Sequence, residues 1–243
     1  MRASRARSYG RGMTEIASTP STPAVQDGPQ SAAWLRIMAI LYDPFLWFGE
    51  VAGMRRRRSA LVGDAYGRVV EIGAGTGLNI AHYPDGIAEL VLCEPEPGMR
   101  RRLAHRLKGH AGVARIVDAP AERLPMADAS VDTVVSTLVL CTVDDPERAL
   151  REIARVLRPD GQFLFIEHVR ASSRFLAACQ DRLFRPWRGF GGGCCCNRPT
   201  DDLMRACGFA IEAHHDVWRG MPAIVHPLIV GRATRAGKRC GAL

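Results

Sequence analysis

The stretch from Val69 to Asn79, VVEIGAGTGLN, runs from an apolar segment straight into Gly73, Gly75 and Gly77, with Glu71 two residues ahead of the first glycine. A strand ending in such a loop brings bare backbone to the carboxyl edge of a sheet, where a nucleotide can approach closely. The dinucleotide fingerprint G-x-G-x-x-G would place its third glycine at Leu78, so the spacing argues against a pyrophosphate ligand. Glu71 argues the same way: a carboxylate facing the crevice repels phosphate and attracts a cation. The competing reading is a purely structural turn between strand and helix. Glu94, twenty-three residues after Glu71, closes the next apolar run. A carboxylate there can accept hydrogen bonds from both hydroxyls of a ribose, which marks an adenosine without naming the rest of the ligand. Pro95 and Met99 follow it, and Met99 is placed either to pack on a base or to start a helix core.

An adenosine that carries positive charge and no phosphate describes S-adenosylmethionine, with its ammonium and sulfonium groups. Methyl transfer from a sulfonium is an in-line displacement in which the protein mainly aligns the nucleophile and excludes water. That chemistry requires no metal. His168, just past the fifth apolar run, is the candidate to accept a proton or orient the acceptor, against a purely structural role. Glu167 beside it reads as structural, and His214 and His215 fall in a strand where one must point outward. Adjacent cysteines point different ways and there is no paired C-x-x-C, so Cys194, Cys195 and Cys196 read as a loop shaping an acceptor pocket, not a metal site. Arg185, Trp187, Arg188 and Arg198 flank that loop and could hold an anionic substrate group or be solvated.

These residues need a scaffold, and the chain supplies an alternating pattern. Apolar runs at 68–73, 89–94, 114–119, 131–141 and 162–169 are separated by helical patterns at 77–83, 98–107 and 145–157. Near-continuous apolar strands alternating with helices predict an α/β fold, a doubly wound parallel sheet. A loop-rich insertion is expected over 170–198, then a helix capped by Thr200, then two antiparallel strands near 209–218 and 223–234. Residues 1–31 are rich in Arg, Ser, Thr, Pro and Gly and read as a disordered tail. Residues 32–66 form a helical segment that Pro44 should divide in two. The main domain spans 67–235, and 236–243 reads as a loose tail.

With these residues in view, the chain resembles the class I S-adenosylmethionine-dependent methyltransferases from about Trp34 to Arg232. The segments VVEIGAGTGLN, CEPEPGM, AERLPMADASVDTVVS and ALREIARVLRPDGQFLFIEH carry the resemblance. Within that class it is most similar to the microsomal alkyl-thiol methyltransferases and their bacterial relatives, through TLVLCTV, EHV and FRPWRGFGGGCCCNRPT. The resemblance implies a Rossmann-like seven-stranded sheet of order 3-2-1-4-5-7-6 with strand seven antiparallel. It implies cofactor contacts at Glu71, Gly73, Gly75, Gly77 and Glu94, and it places Ala121 and Glu122 near the adenine. Pro120 stands where an acid is common in the class, and Asp118 could compensate. Thr137 and Leu138 should line the floor near the transferring methyl, and Tyr42 and Asp43 should lie at the cofactor's edge.

The totals narrow the partners. The 243 residues carry a net charge of +8, almost all of the positive charge being arginine, since Lys108 and Lys238 are the only lysines. That balance permits an anionic partner. A nucleic-acid or protein methyltransferase would carry an Asn-Pro-Pro-Tyr type motif after strand four; Ser136-Thr137-Leu138-Val139 stands there, so nucleic acid is not expected. An NAD oxidoreductase would want a Tyr-x-x-x-Lys pair, which is missing. A non-catalytic cofactor-binding module remains the other alternative. The apolar Trp34 to Met54 segment, followed by Arg55 to Arg58, predicts either a lid over the cofactor or an interfacial helix on an anionic membrane, and it favours a small hydrophobic acceptor: thiol, lipid amine or quinone-like. Eight cysteines without paired spacing, and no apolar leader in the first thirty residues, imply a cytoplasmic setting.

Overall fold

The computed structural model describes residues 43–108 and 114–236. The expectations for residues 1–31, Trp34, Tyr42 and the tail beyond 236 lie outside the described residues.

A single seven-stranded sheet orders the chain as β3-β2-β1-β4-β5-β7-β6. Its strands are β1 (Arg68–Ile72), β2 (Glu89–Cys93), β3 (Ala114–Val117), β4 (Val131–Thr137), β5 (Leu157–His168), β6 (Phe209–Val217) and β7 (Pro227–Arg235). The first five run parallel, and β7 pairs antiparallel with both β5 and β6. The reason is connectivity. Links long enough to cross over, several of them carrying helices, return the chain parallel, whereas β6 and β7 are joined by a short link without a crossover. Successive residues of β4 feed opposite layers: Val134 packs with α4 (Pro146–Val156) and α7 (Thr200–Ala206), and Val135 with α2 (Arg55–Val62) and α3 (Pro97–Leu107). α3 and α4 start alike, with Pro97 and Pro146 in the first turn and the Glu96 and Asp145 carboxylates accepting the Met99 and Arg148 backbone N–H groups.

The division expected at Pro44 depends on residues before 43, which lie outside the described residues. From 43 to 49 the chain is helical (α1), and a kink falls at Gly53, whose φ of 125° sits in a π-type turn, Glu50–Met54; only glycine accepts that φ readily. Four local expectations are corrected. The segment after the glycine loop forms only a 3₁₀ turn, Ile80–His82, because Tyr83 precedes Pro84 and is held extended. β4 ends at Thr137 rather than Cys141, because Leu138 turns to a φ of 63° and sends Val139 to Val143 out as a loop. The 170–198 insertion is not loop-rich: it contains α5 (Arg174–Arg182) and α6 (Phe184–Phe190). Buried Gln180 staples α5 down, its Nε2 donating to the carbonyls of Val169, Cys196 and Ile224. Thr200 does not cap α7. It lies within the helix, and its hydroxyl donates 2.9 Å to the His168 carbonyl.

Candidate active site

A cleft of about 390 Å³ opens along the carboxyl ends of β1, β2, β4 and β5, within the roughly 300–1,000 Å³ usual for a small-molecule site. Gly73, Gly75, Glu94, Pro95, Met99, Ala121, Glu122, Thr137, Leu138 and His168 line it, so the fold gathers ten of the positions singled out above. Pro120 also lines it, whereas Asp118 is not part of the lining and pairs at 2.8 Å with Arg100. Phe45 and Leu46 of α1 close one side.

The glycine loop is built for close approach. Gly73 has a φ of 54°, and a Cβ there would lie 2.6 Å from Val139. Gly75 has a φ of 56°, and a Cβ there would meet only the Gly73 carbonyl oxygen, at 3.9 Å; the space beside it is cleft. Gly77 is not part of the lining. It packs under α3, where a Cβ would press 2.7 Å from Ile80 and Leu103. The Gly75 N–H donates 2.8 Å to Glu94 Oε2, and the Glu96 N–H donates 2.8 Å to Glu94 Oε1. Each oxygen keeps a second lone pair toward the cleft, enough for a diol. Burial nevertheless pushes the Glu94 carboxyl above its ordinary range.

Glu71 does not line the cleft. It is 1% exposed, and its carboxylate accepts from Asn79 Nδ2 at 2.9 Å and from the Tyr83 hydroxyl at 2.7 Å. Burial raises its pKa to about 7, with Tyr83, Asn79 and the Arg58 charge opposing the rise. Arg58 is the cation that answers it. Expected among solvated or headgroup-facing arginines, Arg58 is 3% exposed instead. It donates to Glu50 at 3.0 Å, and its Nη1 reaches both Asn79 Oδ1 and Thr137 Oγ1 at 2.9 Å. Thr137 Oγ1 also accepts from Asn79 Nδ2 at 3.0 Å. With both lone pairs taken, the Thr137 proton is left to donate to another acceptor. Arg58, Asn79 and Tyr83 were not legible as site residues, because nothing in their spacing shows that α2 and the turn at Ile80–His82 converge behind the glycine loop.

Asp43, expected at the cofactor's edge, is not part of the cleft lining. It accepts 2.6 Å from the Thr76 hydroxyl and pairs with Arg102 and Arg106 of α3. Trp218, 1% exposed, docks the N-terminal segment: its Nε1 donates 3.0 Å to the Gly49 carbonyl, and a Cβ at Gly49 would strike its ring.

His168 stacks on Trp218, with centroids 5.7 Å apart. Its Nδ1 lies 3.3 Å from Cys141 Sγ and 3.4 Å from Cys194 Sγ, and the two sulfurs are 3.8 Å apart. The hydrogen bond shared with Cys141, with the neighbouring imidazole of His168 as a further cause, holds the Cys194 thiol below its ordinary range although burial opposes this; the same bond and burial push Cys141 up. Glu167 does not touch His168. Its Oε1 accepts from Ser136 Oγ at 2.5 Å and from the Val139 N–H at 3.0 Å, which clamps the end of β4. Arg198 is spent on the Leu140 and Val143 carbonyls, and Arg188 pairs with Asp144. His214 and His215 lie on β6 and do not line the cleft.

Among the described residues, the cleft lining contains the carboxylates of Glu94, Glu96, Glu122 and Asp144 and no arginine or lysine. A basic chain thus presents an acidic cleft, which suits a cationic adenosine and repels a dinucleotide. The bare loop at Gly75 and the paired acceptors on Glu94 fit S-adenosylmethionine in the same terms.

Comparison with known proteins agrees. The methyltransferase domain family matches residues 70–165. The chain is 36% identical over 174 residues to human thiol S-methyltransferase TMT1B, covering 69% of this chain and 70% of that one. It is 34% identical over 140 residues to a phosphatidylethanolamine N-methyltransferase of Cereibacter sphaeroides, covering 57% and 69%. Among solved structures, an S-adenosylmethionine-dependent methyltransferase of Thermotoga maritima, a possible histamine N-methyltransferase, superposes with a TM-score of 0.64 at 23% identity, covering 84% of this chain and all of that one. The sheet order, the acidic glycine-loop cleft and these relationships place the chain among the class I S-adenosylmethionine-dependent methyltransferases, related to the alkyl-thiol methyltransferases.

Proposed function

We propose that the acceptor is a small hydrophobic thiol, methylated at sulfur. The observation that carries this reading is the pocket around His168. Its walls are Cys141, Cys194, Trp187, Trp218, Met221 and Val225, apolar or softly polar groups gathered around the imidazole. A phosphate-bearing acceptor would call for arginine or lysine, and among the described residues the lining has neither. The similarity to a human thiol S-methyltransferase supports the same choice over a lipid amine or a quinone.

S-adenosylmethionine supplies an activated methyl group, so the chain has only to position it and present an ionised nucleophile. In this reading Gly73 and Gly75 admit the cofactor's backbone-facing edge, and Glu94 accepts the ribose hydroxyls. Pro95, Met99, Ala121 and Glu122 flank the base, and Thr137 and Leu138 floor the site. Glu71 and Gly77 act from behind, by holding Thr137 and the loop in place. An alkyl thiol with an ordinary pKa of about 8.5 is only a few per cent ionised at neutral pH. His168 is the residue through which it is activated, held by its stack on Trp218 and by Thr200 on its carbonyl. An acceptor screen with methyl-labelled cofactor tests this. Label should pass to short alkyl thiols, and transfer to lipid amines or quinols without transfer to thiols would replace the reading.

We infer further that the N-terminal segment serves as both lid and membrane contact. Phe45 and Leu46 face the cleft while Trp47, Phe48 and Val51 are 57%, 68% and 66% exposed, with exposed Arg55 and Arg56 beyond them. Amphipathic rings beside cations suit an anionic interface. Among the described residues, no helix is long and apolar enough to cross a membrane. Replacing Trp47 and Phe48 together by serine should reduce co-sedimentation with anionic vesicles several-fold and leave cofactor affinity unchanged; equal sedimentation would reduce the segment to a lid.

A further inference from the structure

We propose that Cys141, His168 and Cys194 form a three-ligand site for a zinc ion whose fourth position opens toward the acceptor. The proposal rests on the thiol reading only for what fills that fourth position.

The geometry is the first argument. A tetrahedral zinc with Zn–S near 2.3 Å and Zn–N near 2.0–2.1 Å sets ligand-to-ligand edges of about 3.8 Å between sulfurs and about 3.5 Å between sulfur and nitrogen. The three donor atoms already lie 3.8, 3.3 and 3.4 Å apart. They belong to three separate parts of the chain: the loop after β4, the end of β5 and the glycine-cysteine loop after α6. The adjacency of Cys194, Cys195 and Cys196 argues against those three sharing an ion. It says nothing against one of them joining donors brought in by the fold.

Unmet bonding is the second argument. Nδ1 has a single in-plane position, yet two sulfurs approach it. Hydrogen bonding to Nδ1 serves one of them at a time and leaves the other to the sulfur–sulfur contact at 3.8 Å. His168 Nε2 is buried without a partner among the described residues, so the two sulfurs at Nδ1 are the polar groups the ring meets. One cation capping the triangle engages all three donors. Two thiolates and an imidazole are also the soft donor set that selects zinc over magnesium or calcium.

The third argument is access. All three residues line the cleft, and a zinc site with three protein ligands keeps one position for substrate. Binding releases the protons of Cys141 and Cys194 to solvent. An alkyl thiol entering the fourth position loses its proton to solvent as well and sits on the metal as thiolate. Its sulfur lone pair then forms the new bond to the methyl carbon. The carbon–sulfur bond of the sulfonium breaks with its electron pair returning to that sulfur, and both products are neutral thioethers. His168 would act as a ligand in this step, so the metal ionises the acceptor.

The test uses the full chain, purified under reductant, stripped with a chelator and titrated with Zn²⁺ against a chromophoric competitor, with no cofactor or acceptor present. One Zn²⁺ per chain is expected. Cys194→Ser should weaken binding at least 100-fold, while Cys207→Ser, distant from the cleft, should leave it unchanged. Circular dichroism checks that the variants fold. If Cys194→Ser does not, the wild-type protein loaded with Co²⁺ decides alone: thiolate-to-cobalt charge transfer and tetrahedral ligand-field bands are expected, and adding an alkyl thiol should shift them. No stoichiometric zinc, an octahedral cobalt spectrum, or equal binding by folded Cys194→Ser would each overturn the site. A thiol-insensitive cobalt spectrum would overturn the role of the fourth position. Zinc binding without thiol methylation would leave the site standing and remove the acceptor reading; thiol methylation without zinc binding would do the reverse.

Discussion

Replacing Arg58 with methionine will destabilise the fold by about 3–5 kcal/mol above pH 7 and weaken S-adenosylmethionine binding with it. Arg58 is the only cation hydrogen-bonded into the buried cluster of Glu71, Asn79, Tyr83 and Thr137 among the described residues. Methionine keeps much of the stem's volume, so the loss will be electrostatic rather than a cavity. Removing one partner of a buried charge set leaves the other uncompensated, and that is the costly case. The loss will depend on pH. Glu71 has its pKa raised from an ordinary 4.5 to about 7, so the folded chain holds this proton more tightly than the unfolded chain. Its contribution to stability therefore declines as pH rises from about 4.5 through about 7, and levels off above. Arg58 limits that decline by lowering the Glu71 pKa. Without it the decline must extend to higher pH, and the gap between variant and wild type must widen from pH 5 to pH 8. Urea unfolding at both pH values checks this. A gap that does not change with pH would mean that the Arg58–Glu50 contact, rather than Glu71, carries the energy.

The second large effect is expected at the glycine loop. Gly75→Val should lower S-adenosylmethionine affinity at least 100-fold, about 2.7 kcal/mol, while the protein still folds. The backbone at Gly75 is left-handed, with a φ of 56°, a region that a β-branched residue enters only with strain. The space its side chain would take is cleft rather than protein, so steric damage to the core is small. Two things change for the ligand: the cleft loses volume, and the N–H that donates to Glu94 Oε2 is displaced. Glu94 would then lose one of the two backbone bonds that hold its carboxylate in position. Calorimetric titration of the variant, with its melting temperature measured beside it, is the check. Wild-type affinity in the folded variant would remove the cofactor from this loop.

Much of the site could be read from residue order because the class I sheet turns sequence into position. Each apolar run ends at the same edge, so Gly73, Glu94 and His168, at the ends of their runs, had to meet; Thr137, inside a run read as 131–141, was placed there by the resemblance. Glu71 shows where this reasoning stops. Its place near the end of β1 was legible, but whether its carboxylate entered the cleft depended on Asn79 and Tyr83 reaching it first. The short 3₁₀ turn after the glycine loop had the same origin: the local pattern resembled a helix, and Pro84 together with the inward pull on Asn79 prevailed. In the 170–198 segment the glycine and cysteine run suggested a loop throughout, while Gln180 and its carbonyl partners made helical structure profitable just before it.

What the amino-acid order alone determined was the α/β class, the parallel run of strands and the sulfonium-type cofactor, because these rest on hydrophobic period and on a glycine-and-acid spacing within a few residues. Only the tertiary structure decided that Arg58 is buried rather than solvated, that Trp218 clamps the N-terminal helical segment, and that Cys141, His168 and Cys194 share one corner of the cleft. Those outcomes depend on contacts between residues as many as 169 positions apart, where no local periodicity carries the information and packing of the whole sheet sets the distance.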